Sequence, residues 1–193
     1  MRVFEIPFGH GIRALIGVPV LVNGALWGML SCTEGLGTRQ WSESDIQLVR
    51  LVGSVIAGVL ERNIMEDDLL RMSAIVNSSP QYISYTNTDG SFQYFNQGAL
   101  NMLGYTAEEL AGSNITHIFD ADVLNNVVRG SFSRVLAGEK CEFEAPVICK
   151  DGSERVLRFS MFSTDNENIG IGAIASDITE KRQLEKDLIQ AKV

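Results

Sequence analysis

The stretch NQGALNMLGYTAEELAG, residues 96–112, decides how the rest of the chain is interpreted, because it contains start and stop signals for two short helices. Asn96 suits a helix N-cap, where a side-chain oxygen accepts an N–H of the first turn. Gly104 suits the position at which a helix ends in a left-handed conformation. Thr106 and Glu109 have the spacing of a capping box for the second helix. The stretch therefore predicts two capped helices in an α+β domain.

Strand patterns lie on both sides of these helices. Alternating or branched apolar residues predict five strands, at residues 81–86, 91–95, 141–149, 156–162 and 169–176. Asp-Gly pairs favour hairpin turns after the first and the third of them. A helix is predicted at residues 123–136, with Asp120 or Asp122 as its cap. These patterns predict a five-stranded antiparallel sheet with helices on one face.

The first part of the chain predicts a hairpin followed by a long helix. Asn23–Gly24 is a strong two-residue turn signal between two apolar strands. Ser42 and Asp45 then predict the start of a helix that runs from about residue 43 to 77, before Pro80. Its apolar residues cover a wide arc, so we expect much of this helix to be buried.

One set of apolar residues on this helix has the spacing of a coiled-coil seam. The set consists of Leu48, Val52, Val55 and Val59. A hairpin and one helix bury little by themselves, because three or more strands are usually needed for independent stability. This piece should therefore pack on a second chain, pack on the domain that follows it or be partly disordered. Of these three we expect the first, a homodimer formed through helices.

Composition limits the function classes. The chain has 193 residues, a net charge of −8 and 45% hydrophobic residues, as expected for one or two globular domains. The negative charge argues against nucleic-acid binding by this segment. No apolar run reaches the length of about 18 residues that a membrane span needs. Three cysteines without C-x-x-C spacing predict reduced thiols in a cytoplasmic protein, with no metal site.

The sequence offers no catalytic constellation. Nucleophilic catalysis needs a base within reach of the nucleophile, and the two histidines, His10 and His117, lie in no recognisable catalytic setting. Phosphate-binding and zinc-protease motifs are absent from the sequence. We predict that this chain by itself is not an enzyme.

Five motifs, in order, resemble a PAS domain of the PAS/PAC sensor family. They are TDGSFQYFN, the stretch at residues 96–112, KDGSERVLRF, IGIGAIASDIT and EKRQLEKDL. The resemblance covers residues 82–182, about half of the chain. It implies the PAS fold, a sensing or relay role and a coiled-coil output helix.

The segment VPVLVNGALWGMLSC, followed by a turn and a long helix, resembles the C-terminal part of a GAF domain. The two resemblances together predict four regions. They are a partial GAF domain at residues 1–62, a linker helix at 63–80, a PAS domain at 81–179 and the start of an output coiled coil at 180–193. This order resembles multidomain bacterial sensor histidine kinases and diguanylate cyclases, with the effector expected beyond residue 193.

The resemblance also allows cofactors to be tested. Flavin-binding LOV relatives carry an N-C-R motif whose cysteine forms the photoadduct, and the matching residues here are Asn114, Ile115 and Thr116. Ile115 has no thiol, which excludes that photocycle but not noncovalent flavin. The predicted helix 123–136 lacks the histidine that haem-binding relatives place there, so haem is not favoured.

What is left is a small apolar pocket with an unidentified ligand. Its candidate lining residues are Ile115, Phe119, Val128, Phe143, Met161 and Ala173. The alternative is that these side chains simply fill the core.

The resemblance assigns signal relay to the DIT motif at residues 177–179. In relatives, its aspartate and threonine couple the last strand to the output helix, which implies roles for Asp177 and Thr179. Asp177 would pair with Lys150 or Arg155 of the neighbouring hairpin. The predicted function is a sensing and relay module, most readily of a histidine kinase in a two-component system. The alternatives are a ligand-free dimerisation and relay module, or the input of a diguanylate cyclase or a transcription regulator.

Overall fold

The chain is divided into two compact units, Met1–Met72 and Ser73–Val193. The structure is a computed structural model that describes residues 12–37, 39–164 and 170–191. His10, and Ile169 of the predicted last strand, lie outside the described residues. The four-region division predicted from the sequence stays a prediction.

The first unit contains a β-hairpin. Strand β1 (Ala14–Val22) pairs antiparallel with β2 (Ala25–Glu34). Asn23 and Gly24 join them, and both have positive φ values, 49° and 77°. Two successive positive φ values define the hairpin turn that an Asn-Gly pair favours, so this prediction is confirmed.

Helix α1 (Glu43–Ser78) begins as predicted. The backbone N–H of Ser42 donates to the carboxylate of Asp45 (2.8 Å), and the N–H of Asp45 donates to Oγ of Ser42 (3.2 Å). These reciprocal bonds form a capping box that closes with aspartate in place of the usual glutamate.

The expected burial of this helix is wrong for the single chain. Among its described residues only Val49 and Gly53 are buried. Their neighbours in the first unit are the hairpin residues Ile16 and Val18. A two-stranded sheet covers only a narrow stripe of a helix, so most of the other apolar side chains of α1 remain exposed. The half-buried ones include Ile46, Ile56 and Leu60.

The second unit is built on a five-stranded antiparallel sheet, and the predicted fold class is confirmed. Its strands are β3 (Tyr82–Asn87), β4 (Phe92–Phe95), β5 (Cys141–Ile148), β6 (Glu154–Thr164) and β7 (Gly170–Asp177). Their order in space is β4-β3-β7-β6-β5. Strand β3 therefore lies beside β7, the strand that leads to the C-terminal helix.

The helices of the second unit lie between β4 and β5 in sequence, except the last. They are α2 (Gln97–Leu103), α3 (Ala107–Leu110), α4 (Ala121–Val123), a π-helical segment (Leu124–Val128), α5 (Arg129–Leu136) and α6 (Thr179–Gln190). The predicted caps of α2 and α3 are confirmed.

The predicted helix 123–136 is corrected at its start. Helical structure begins at Ala121, and the cap is Asp120, whose side chain accepts the N–H of Asp122. Near the end of this helix, Val135 is buried and Leu136 is exposed.

Two glycines of β7 make room for aromatic rings. A Cβ atom on Gly170 would lie 2.2 Å from the hydroxyl oxygen of Tyr85, and one on Gly172 would lie 2.6 Å from the ring of Phe162. Real Cβ atoms do not approach that closely, so these strand glycines allow the rings to pack against the backbone. The core of this unit lies between the other face of the sheet and helices α2 to α5.

Candidate functional site

A small cavity lies in the core of the second unit. All six pocket candidates line it: Ile115, Phe119, Val128, Phe143, Met161 and Ala173. Two of them precede α4, one lies in the π-helical segment, and the others lie on strands β5, β6 and β7. The fold brings these segments together. The cavity volume is about 20 Å³, which is room for about one water molecule. Whether it binds a ligand stays a prediction.

Residues of β3 add polar atoms to this cavity. Tyr82, Ser84 and Thr86 are buried and line it, and the sequence reasoning missed all three. The sequence pattern that could have identified them is the alternation of a strand, which places every second residue on the same face. Burial raises the pKa of the Tyr82 phenol, and a hydrogen bond with Ser84 opposes this only in part. Tyr82 therefore stays protonated.

Thr86 carries an unpaired buried hydroxyl. Its Oγ1 has no hydrogen-bond partner within the part of the chain that the structure describes. An unsatisfied buried polar group costs about 1–3 kcal/mol. A water molecule or a ligand group in the cavity could supply the missing partner.

Aromatic rings form one wall of the cavity. Phe143 on β5 and Phe159 on β6 face each other in the strand register, and their rings stack with centroids 5.2 Å apart. Phe119 packs against Phe159 at 5.7 Å. A change in the shape of the cavity would therefore act directly on the β5–β6 pair.

The residues that match the flavin-adduct motif of LOV relatives, and His117, lie in the segment that precedes α4. Asn114 caps a short 3-10 turn, Ile115–His117, by accepting the N–H of Thr116. His117 is exposed and lies beside the ring of Tyr105, with centroids 5.2 Å apart. It does not line the cavity.

The junction between β7 and α6 is the second part of the site. Arg155 Nη1 donates to Oδ2 of Asp177 at 2.7 Å. The other carboxylate oxygen, Oδ1, accepts the N–H (2.9 Å) and the hydroxyl of Thr179. Oγ1 of Thr179 in turn accepts the backbone N–H of Val156 on β6 at 2.9 Å. The first residue of α6 is therefore tied to β6 as well as to β7.

Two partners were open for Asp177, and the structure pairs it with Arg155. Lys150 instead forms an ion pair with Glu109 of α3. Partial burial raises the pKa of Asp177, but the hydrogen bonds from Thr179 and Arg155 outweigh it and leave that pKa below its usual value. The carboxylate is therefore ionised at neutral pH.

The start of the second unit also has a hydrogen-bonded junction, which is formed by the side chain of Asn96 and which we call the joint. The sequence identified Asn96 only as a helix cap. Asn96 is fully buried, and its Oδ1 accepts the N–H groups of Ala99 (2.9 Å) and Ile83 (3.0 Å). Its amide group also donates to three backbone carbonyls at and after the end of α1, those of Val76, Ser79 and Gln81. One side chain therefore connects α1, β3 and α2.

Comparisons with known proteins agree with this geometry. The family model described as "PAS domain" matches residues 80–180, and the model described as "GAF domain" matches residues 5–60. No match was found among curated proteins. Within the described residues, no helix is long and apolar enough to cross a bilayer.

Solved structures show the same fold. The PAS domain of an HTR-like protein from Haloarcula marismortui is 26% identical, with a TM-score of 0.54, over 61% of this chain and 97% of that one. A PAS domain from Colwellia psychrerythraea is 21% identical, with a TM-score of 0.54, over 58% and 98%. A domain of a sensory box sensor histidine kinase/response regulator from Geobacter sulfurreducens is 20% identical, with a TM-score of 0.50, over 58% and 94%. With a family match that covers more than half of its residues, the chain belongs to the PAS domain family.

Proposed function

We propose that this chain is a sensing and relay module that passes a change in its PAS core to an effector through α6. The observation that carries the proposal is the hydrogen-bonded junction of Asp177, Thr179 and Arg155. It ties the first residue of α6 to β6 and β7, and both of these strands contribute residues to the cavity. A shift of these strands would move the start of the helix with them.

The relay role can be tested at Asp177. Asp177→Ala removes the acceptor for Arg155 and Thr179, so we expect a change in the basal output of the full-length protein, in its response to the stimulus, or in both. Asp187→Ala is the matched control, because it removes a carboxylate from the exposed side of α6. Output of the Asp177 variant that equals the unaltered protein in level and response would disprove the coupling.

The module has two candidate input signals, a bound small molecule or a change without a ligand. A small molecule could enter the cavity, where Thr86 offers an unpaired hydroxyl. It would have to push aside cavity side chains, because the present volume is that of about one water molecule.

A ligand-free relay is the second candidate, and the small cavity favours it. In that case the change would arrive through α1, whose end is held by Asn96. The proposed mechanism in both cases is a population shift between two arrangements of a homodimer.

Native mass spectrometry of the purified chain, with an absorption spectrum of the same sample, separates the two inputs. Added mass or a visible absorption band would support a ligand-gated sensor. A dimer with twice the mass calculated from the sequence, and without such a band, would support the relay without a ligand.

The effector is proposed to follow α6 in the longer protein. A histidine kinase of a two-component system is the first choice, and a diguanylate cyclase or a transcription regulator is the alternative. In each case the chemistry would belong to the effector and the present chain would not be an enzyme.

A further inference from the structure

A second polar contact fastens α6 to the sheet, one turn after the Asp177 junction. Glu144 on β5 accepts two hydrogen bonds from Arg158 on β6, from Nε at 3.1 Å and from Nη2 at 2.9 Å. Its other oxygen accepts from Nε (2.8 Å) and Nη2 of Arg182 on α6. One carboxylate therefore joins both strands of the β5–β6 pair to the output helix. We call Glu144, Arg158 and Arg182 the clasp.

We propose that Glu144 is a positioning residue through which the state of the cavity reaches α6. The inference rests on the proposed relay function and adds a specific route to it. It is separate from the Asp177 junction, because it starts from a different strand and reaches a later turn of the helix.

The register of the sheet places the clasp directly behind the cavity wall. Phe143 pairs with Phe159, and the next pair in the same ladder is Glu144 with Arg158. Successive residues of a strand point to opposite faces. The two rings therefore line the cavity while the neighbouring ion pair lies on the other face. A ligand or a rearrangement that separates the rings by moving β5 relative to β6 would also displace the Glu144 carboxylate.

Helix α6 depends on such polar contacts. None of its residues is buried, and its apolar residues Leu184, Leu188 and Ile189 are exposed. Apolar packing within the chain therefore contributes little to holding the helix in place. The polar contacts of Thr179 and Arg182 with the sheet set its position.

The charges favour this geometry. Hydrogen bonds from Arg182 first, and then from Arg158, lower the pKa of Glu144, so it is ionised at neutral pH. Paired Arg–carboxylate hydrogen bonds are directional as well as strong, and they transmit orientation better than a single contact would. Arg182 also reaches Glu185 on its own helix at 3.1 Å, a contact that does not involve the sheet.

The first test measures whether the clasp holds the helix. Glu144→Gln should speed hydrogen exchange of the amides at residues 183–190 by about three- to tenfold, because charge-assisted bonds are replaced by weaker neutral ones. Glu142→Gln is the matched control, since it removes the same charge from an exposed position on the same strand. Unchanged exchange in the Glu144 variant would overturn the proposal.

The second test measures whether the clasp carries the state of the cavity. Phe143→Leu opens the aromatic wall, and it should alter exchange at residues 183–190 in the unaltered background. Together with Glu144→Gln the change should be clearly smaller, because only the Asp177 junction then connects the sheet to α6. Phe143→Met replaces it if the leucine variant does not fold, as judged by circular dichroism.

The possible outcomes separate the two proposals. An equal response of α6 in both backgrounds would overturn the role of Glu144 and leave the relay function standing. No response in either background would overturn both, because the cavity would then not communicate with the helix.

Discussion

At the scale of single residues, Asn96 shows how much one buried side chain can do. A helix cap needs only one acceptor, yet here both ends of the amide are used. Its carbonyl oxygen serves β3 and α2, and its NH₂ group serves the backbone that follows α1. These backbone groups are therefore held by a side chain, and one of them, the carbonyl of Val76, also accepts the N–H of Ser79 at 3.3 Å.

Replacement of Asn96 should therefore destabilise the second unit strongly. Asn96→Ala removes five hydrogen bonds to buried or part-buried backbone groups, and we expect a loss of about 2–4 kcal/mol in the free energy of unfolding. Urea unfolding followed by circular dichroism measures it. Asn101→Ala on the exposed side of α2 is the control, with an expected change within about 0.5 kcal/mol. Equal stability of the two variants would contradict the role of Asn96.

Gly98 contributes to the same joint by having no side chain. A Cβ atom there would lie 2.3 Å from the carbonyl oxygen of Ser79 and 2.6 Å from that of Gln81. These are backbone atoms, which cannot rotate away as a side chain can. The segment between α1 and β3 can therefore pack against α2 only because residue 98 is glycine.

Two glycine replacements should have opposite effects. Gly98→Ala should cost about 1–3 kcal/mol of unfolding free energy, because backbone must move to relieve the overlap. Gly130→Ala in α5, where a Cβ atom would meet nothing within 4 Å, should be neutral or gain up to about 1 kcal/mol from helix propensity. The same urea titration measures both. A Gly98 variant as stable as the Gly130 variant would refute the close approach.

At the scale of elements, α6 is set by electrostatics. The pKa of Asp177 is below its usual value, so its ionised form stabilises the folded state. For a carboxyl group with a lowered pKa, this contribution is complete above the unfolded-state pKa. It is lost as the pH falls through the folded-state pKa.

The pH dependence follows from that sign. Asp177→Asn should lower the melting temperature at pH 7, and the difference from the unaltered chain should shrink as the pH falls below about 4. Thermal unfolding at a series of pH values measures the difference. Asp187→Asn serves as the control, with little effect on the melting temperature expected at pH 7. A difference for the Asp177 variant that stays constant down to pH 2.5 would speak against a charge effect.

Helix α1 differs from α6, because it carries many apolar side chains and few of them are buried within the chain. The four residues of the predicted seam are all exposed, among them Val55 at 58%. Exposed apolar residues at this spacing are typical of a helix that packs against a second helix.

At the scale of the whole molecule, we predict that α1 mediates dimerisation. Val55→Glu should shift the chain from dimer to monomer in sedimentation equilibrium, because a buried unpaired charge opposes association. Ser54→Glu adds the same charge at the neighbouring exposed position and should leave the dimer intact. A monomer before any substitution, or equal effects of both variants, would contradict the predicted seam.

Short-range sequence patterns were sufficient to predict most of the secondary structure of the second unit. The caps at Asn96 and Thr106 and the positive-φ glycine at residue 104 depend on groups within a few residues of each other. Alternation in β5 and β6 placed Phe143 and Met161 on the core side for the same reason. The six cavity residues could be named because they are apolar positions of the connecting segment, the long helix and the strands of the stretch that resembles a PAS domain.

The sequence by itself determined most of the helices and strands, the turns and the family, because each follows from short-range pattern or from motif order. Only the tertiary structure decided which base pairs with Asp177, that Ser84 and Thr86 face the cavity, and that Glu144 joins β5, β6 and α6. These contacts bridge residues 14 to 89 positions apart. Their geometry depends on strand order and register, which no local pattern encodes.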